Sequence, residues 1–173
     1  MRNKLVGERL LLMGSKAFRA KVLPISLKRK IDEAITRGMQ IIVGEVPGAC
    51  RLFQDYLKGK KYNNVIVGHA KSIRYNAGGW KTKQFGLSVT EREKNMITEC
   101  SSAIIIWHDK SGVIAENLEI LRRSDKPTFI YEYYSATGKG KADWLDPARI
   151  YDPYHKWKEH MRNEKRRRLQ ESK

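Results

Sequence analysis

Five unbroken apolar runs constrain this chain more than any other feature: "RLLLMG" (9–14), "MQIIVG" (39–44), "NVIVG" (64–68), "AIIIW" (103–107) and "PTFIYEY" (127–133). A strand with one face in water alternates apolar and polar side chains. A strand apolar at every position is buried on both faces. Between the runs lie segments with helical spacing. Residues 26–38 carry Leu27, Ile31, Ala34 and Ile35 on one stripe, with Ser26 as the expected cap and Gly38 as the stop. Residues 48–59 and 112–123 also read as helices. Residues 90–100 read as a helix capped by Thr90, with Glu93 completing a capping box.

Single helices alternating with doubly buried strands require a parallel sheet covered on both faces. The expected fold class is therefore α/β: a Rossmann-like three-layer sandwich with a parallel sheet of about five strands and a basic C-terminal helix. A chain of 173 residues suits one domain, expected over 1–150, with 151–173 as the basic helix or tail. In that tail Asp152 reads as a cap before Pro153. Ile150, Tyr154, Trp157 and Met161 recur at helical spacing and are expected to dock on the core.

Lys and Arg number 35 against 19 Asp and Glu, a net charge of +16. Residues 154–173 account for only +5 of this, so the body is itself basic. A charge of that size points to polyanionic company, whether nucleotide phosphates, nucleic acid or an acidic surface. The two cysteines, Cys50 and Cys100, form no C-x-x-C pair, which favours a reducing compartment. No apolar segment is long enough to span a membrane, and Glu8 and Arg9 interrupt the apolar N-terminal stretch. The expected location is cytoplasmic, with no membrane partner.

In open parallel sheets, ligands bind outside the carboxyl ends of the strands. Four segments lie there. "GSKAFR" (14–19) ends a strand on Gly14 and Ser15, whose backbone can approach an anion, with Lys16 adding charge. The same residues also suit an ordinary strand-end turn. "VGEVPGACR" (43–51) brackets a turn with Gly44 and Gly48, and its Glu45 is either a ribose contact or a solvated carboxylate. The loop at 69–89 offers Arg74, Asn76 and Trp80, suited to phosphate contact and base stacking or to a basic loop with its indole on the core. Finally, Ser111 and Gly112 open a helix after a buried strand, the usual place for an anion. Glu116 lies about 200° around that helix from the buried Ile114, so it is either a rim carboxylate or an exposed helical glutamate. His69 and His108 have no neighbours at metal-ligand spacing, so neither a metal nor another cofactor is expected.

Taken together, these segments resemble the SLOG superfamily, which joins LOG-type phosphoribohydrolases to DprA-like proteins, and within it the YspA-like and YAcAr-like branch. The resemblance covers residues 8–133. Gly14-Ser15-Lys16 is similar to a strand-end Gly-Ser-Arg, "GEVPGAC" to Gly-Asp-Ala-x-Gly-Ala-Asp, and "RYNAGGW" to Arg-x-Asn-x-Gly-x-Trp. "REKNM" resembles Lys-Asp-x-x-Met, and "IIIWHDKSG" resembles the apolar strand, Trp-Asp and Ser-x-Gly-Thr segment. Here Glu45, Cys50 and Glu93 stand where the motifs carry aspartates, and Val113 stands where LOG enzymes carry a threonine. "GVIAE" keeps the Gly-x-x-x-Glu spacing, which implies that Glu116 faces the sugar carbon.

The resemblance implies a nucleotide-binding domain over 1–150. It further implies hydrolysis of the N-glycosidic bond of a nucleoside monophosphate or related nucleotide. Glu116 would act at the sugar, and Glu45 or Glu93 would contact ribose or departing base. Arg74 and the backbone near Gly14, Ser15, Ser111 and Gly112 would hold phosphate. A site shared with a neighbouring subunit, as in LOG-type enzymes, implies a homodimer. Two other readings stand beside this one: a nucleotide sensor without turnover, and a nucleic-acid binder using the basic surface.

Overall fold

Leu10 and Leu12 face one way from the first strand and Leu11 and Met13 the other, and all four are buried. The same division runs through every apolar run and builds two cores, one on each face of a single sheet. The structure, a computed structural model, describes residues 3–173. Its strands are β1 (Arg9–Gly14), β2 (Gln40–Gly44), β3 (Val65–His69), β4 (Lys81–Gln84), β5 (Ser102–His108), β6 (Thr128–Tyr134) and β7 (Lys139–Trp144). They lie in the order β4-β3-β2-β1-β5-β6-β7, and every pairing is parallel except β6 with β7.

Helices α1 (Ile25–Thr36) and α2 (Ala49–Gly59) cover one face. They bury Leu27, Ile31, Phe53 and Leu57 against Leu10, Leu12, Ile41, Val43 and Ile104. Helices α3 (Val89–Glu99) and α4 (Gly112–Arg123) cover the other, burying Met96, Ile97, Ile114, Leu118 and Leu121 against Leu11, Ile42, Ile105 and Trp107. Each such side chain contributes roughly 1.5–3 kcal/mol relative to exposure. The α/β three-layer arrangement and mostly parallel sheet agree with the fold expected from the sequence, and are consistent with a Rossmann-like fold.

The sheet has seven strands rather than five. Both unexpected strands lie at its edges. β4, "KTKQ", is exposed throughout, and β7, "KGKADW", is the outer arm of a hairpin turning at Gly138. An edge strand has one neighbour and little to bury, so no apolar run marks it. The lysines on both strands discourage pairing with another chain.

Three helix starts also differ from expectation. α1 begins after Pro24, whose carbonyl accepts from Leu27 and Lys28, so Ser26 lies inside the helix. α3 is capped by Ser88, which accepts from the Glu91 amide at 3.2 Å, while Glu91 accepts from the Leu87 amide at 2.9 Å. Thr90 caps nothing, and Glu93 is free for other work. α5 (His155–Glu171) starts after Tyr154. Asp152 accepts from the Tyr154 amide at 3.1 Å and pairs with Lys158 at 2.9 Å.

The expected docking of the tail on the core does not occur. Ile150, Tyr154, Trp157 and Met161 are 67, 66, 63 and 48% exposed, and α5 buries no residue. Ion pairs hold the helix instead: Lys158 to Asp152 and Arg162 to Glu116. Helical spacing of apolar residues reads the same whether the stripe meets a core or solvent. No helix among the described residues is long and apolar enough to cross a membrane.

Candidate functional site

Chain connections run from β1 outward through β2 and β3 to one edge, and from β5 outward through β6 to the other. β1 and β5 are adjacent, so the loops after them diverge to opposite faces and leave a crevice. A cavity of about 190 Å³ opens there. Gly14, Ser15 and Lys16 line it from β1 and Val46 from the loop after β2. Val89, Arg92 and Glu93 line it from α3, and Ser111, Val113 and Ile114 from the start of α4. Broader depressions lie elsewhere. One of about 410 Å³ sits at the amino ends of the central strands around Gly7 and Gly38, where Arg37 is already bound to the Leu5 and Gly7 carbonyls.

The loop after β1 is held by its own polar groups. Ser15 donates its amide to the Ile106 carbonyl at 2.9 Å, and its hydroxyl accepts from the His108 amide at 2.9 Å. Its carbonyl accepts from the amides of Phe18 and Ala49. Gly14 and Gly48 serve this closeness. A Cβ on Gly14 would stand 2.6 Å from that of Ala49, and one on Gly48, at φ +88°, would stand 2.3 Å from the Lys16 carbonyl oxygen. The glycine pattern thus has a packing cause in the two loops themselves. Among the described residues the Lys16 ammonium has no ion-pair partner.

At the start of α4, Ser111 makes no side-chain cap. The first intrahelical bond is Ala115 to the Ser111 carbonyl at 2.9 Å, so the amides of Gly112, Val113 and Ile114 have no acceptor in the preceding turn. The turn leading into the helix is strained, with Asp109 and Lys110 at φ +48° and +50°. Asp109 holds it in place. Its carboxylate accepts from the Ser135 amide at 2.8 Å and lies 3.0 Å from His108 Nε2. Hydrogen bonds from Ser135, and then the His108 charge, keep its proton affinity below the usual range.

Behind the cavity lies a buried chain of charges. Glu45, fully buried, accepts from Arg92 Nη1 at 2.7 Å, from Arg74 Nε at 2.9 Å and from the Arg74 amide at 3.1 Å. Arg92, itself buried, lies 3.6 Å from Glu93 through Nη2, and its Nε has no hydrogen-bond partner. Glu93 accepts from Asn117 Nδ2 at 2.8 Å. Burial pushes the Glu93 carboxyl up. The Asn117 hydrogen bond and Arg92 charge pull it down, nearby Glu116 pushes it up again, and the net direction is upward. Burial also raises Cys50, to about 11. Cys50 is thus a neutral thiol, and Arg92 is paired with Glu45.

Gly14, Ser15, Lys16, Ser111 and Glu93 line the cavity, and Gly112 lies between two residues that do. Gly44 donates structure rather than contact: its carbonyl accepts from Gln54 Nε2 at 2.7 Å. Arg74 is turned onto Glu45. Asn76 bonds both the amide and the carbonyl of Trp80, and the Trp80 indole is buried with its N–H on the Tyr62 carbonyl at 2.9 Å. Glu116 pairs with Arg162 of α5 and does not line the cavity.

Three residues of this site lie outside the sequence expectations: Arg92, Asn117 and Gln54. The signal for the first two is position. Arg92 falls four residues before Met96 and Asn117 three after Ile114, placing each polar group on a buried stripe. Gln54 shares α2's buried face and also holds the Tyr75 carbonyl and the Ala77 amide, stapling the 69–89 loop to the body.

Two features define what the arrangement can do. A helix start and a free lysine favour an anion on one side of the cavity. A largely buried acid with raised proton affinity, Glu93, lies on the other. Among the described residues no three His, Cys, Asp or Glu side chains gather closely enough to hold a metal ion. In comparisons with known proteins, the chain matches no family model, no curated protein and no solved structure.

Proposed function

We propose that the switch-point cavity binds the phosphorylated sugar of a nucleotide and that the chain hydrolyses its N-glycosidic bond, in keeping with the resemblance to the SLOG superfamily. The observation that carries this reading is the raised proton affinity of Glu93, facing a cavity whose other wall is the start of α4. Lys16 and the amides of Gly112 and Val113 hold the phosphate. Glu93 donates its proton to the departing base as the C1′–N bond breaks, and water adds its hydroxyl at C1′ and returns a proton. Glu116 stands outside the cavity on Arg162, and it reaches the positive charge that develops on the sugar only when that ion pair opens. At about 190 Å³ the cavity is smaller than the roughly 300–1,000 Å³ of ordinary ligand sites. It suits phosphate and sugar, with the base outside.

A second reading, a sensor that binds the nucleotide without turnover, is favoured by the Arg162–Glu116 pair and by Val113, which brings methyl groups where LOG enzymes have a hydroxyl. One experiment separates the two. Nucleoside 5′-monophosphates are screened by thermal shift, and positive samples are chromatographed for free base. Hydrolysis predicts base release that Glu93→Gln lowers by about 100-fold or more while the thermal shift persists. A shift without release, in the parent and variant alike, selects the sensor. No shift with any nucleotide rejects both.

A further inference from the structure

α5 carries an outer face that nothing in the chain covers. Tyr154 and Trp157 are 66 and 63% exposed, Met161 is 48% exposed, and Lys165 and Arg168 continue the same stripe at helical spacing. The residues that tie the helix down flank this stripe along one border: Lys158 reaches Asp152, and Arg162 reaches Glu116. Among the described residues Lys165, Arg166 and Arg168 have no ion-pair partner, whereas Arg167 pairs with Glu164 and Glu171. Two aromatic rings in solvent are thus followed by unpaired cations within about 16 Å along one helix.

We propose that this face binds single-stranded nucleic acid, with bases stacked on Trp157 and Tyr154 and phosphates against Lys165 and Arg168. Charge complementarity selects the partner, because the whole chain carries +16 and not the helix alone. An anionic membrane also attracts basic helices, but insertion needs a continuous apolar face. Here the stripe turns basic after Met161, and Leu169 lies about 120° around the helix from Trp157. Exposed rings suit unpaired bases, whose faces are open, better than a duplex.

The test uses the full chain and a labelled oligothymidine of about 20 nucleotides, followed by fluorescence anisotropy at several salt concentrations. Trp157→Ala is expected to weaken binding by about 5- to 100-fold. Lys165→Ala with Arg168→Ala is expected to lower the slope of log affinity against log salt by about 1.4. All three side chains are solvent-facing, and circular dichroism checks that the fold is kept. Absence of binding near 0.1 M salt, or binding unchanged by both variants, overturns the proposal. So does equal binding to a duplex that ignores Trp157→Ala, or capture by phosphatidylserine vesicles without oligonucleotide binding. None of these residues lines the cavity, so the outcome is independent of the nucleotide screen.

Discussion

Glu93 shows how a single, largely buried carboxyl links stability to chemistry. The folded chain holds its proton to higher pH than the unfolded chain does, where the ordinary value is 4.5. The stability this proton brings is complete below the unfolded value and is lost as pH rises through the folded one. Glu93→Gln keeps an acceptor for Asn117 and removes that dependence. Urea midpoints compared from about pH 4 to about pH 7 should show the variant gaining on the parent as pH rises. A constant difference would mean that Glu93 ionises as freely in the fold as outside it. Glycines at the site obey an equally local rule. Gly48→Ala puts a methyl 2.3 Å from the Lys16 carbonyl oxygen at a positive φ, and should cost about 2 kcal/mol or more in chemical denaturation. A methyl group on Gly112 would meet nothing within 4 Å, and this residue opens a helix. Gly112→Ala should therefore be neutral or stabilising by up to about 1 kcal/mol.

Among the elements, α3 and α5 show where local pattern stops being decisive. Ser88-x-x-Glu91 and Thr90-x-x-Glu93 both satisfy the capping pattern, two residues apart. The first is used and the second is not. Arg92 and Glu93 must face the sheet for Arg92 to reach Glu45, and that contact spans 47 residues. α5 presents an apolar period with no core beneath it. Its link to the body beyond Lys158 is the half-exposed Arg162–Glu116 pair, worth about 1 kcal/mol or less. Truncation after Glu159 should therefore leave cooperative unfolding intact and shift stability by no more than about that amount. A larger loss in urea denaturation would mean that the helix carries packing the fold depends on. The edge strands β4 and β7 were illegible for the opposite reason: they are stabilised by backbone pairing to a neighbour rather than by side chains of their own.

For the molecule as a whole, doubly buried strands and single intervening helices have few arrangements open to them. The sequence alone determined the α/β class, the mostly parallel central strands and the carboxyl ends of the strands as the place where polar groups gather, because apolar periodicity is local and burial is its consequence. It also carried Gly14, Ser15, Lys16, Ser111 and Glu93 to the neighbourhood of one crevice. Tertiary structure alone decided which carboxylate lines the cavity. Glu45, Glu93 and Glu116 look alike in the chain. One is sealed between two arginines, one is largely buried with its proton affinity raised, and one is bound to an arginine 46 residues later. Proton affinity depends on desolvation and on charges brought near by folding. Neither quantity has a local signature in sequence.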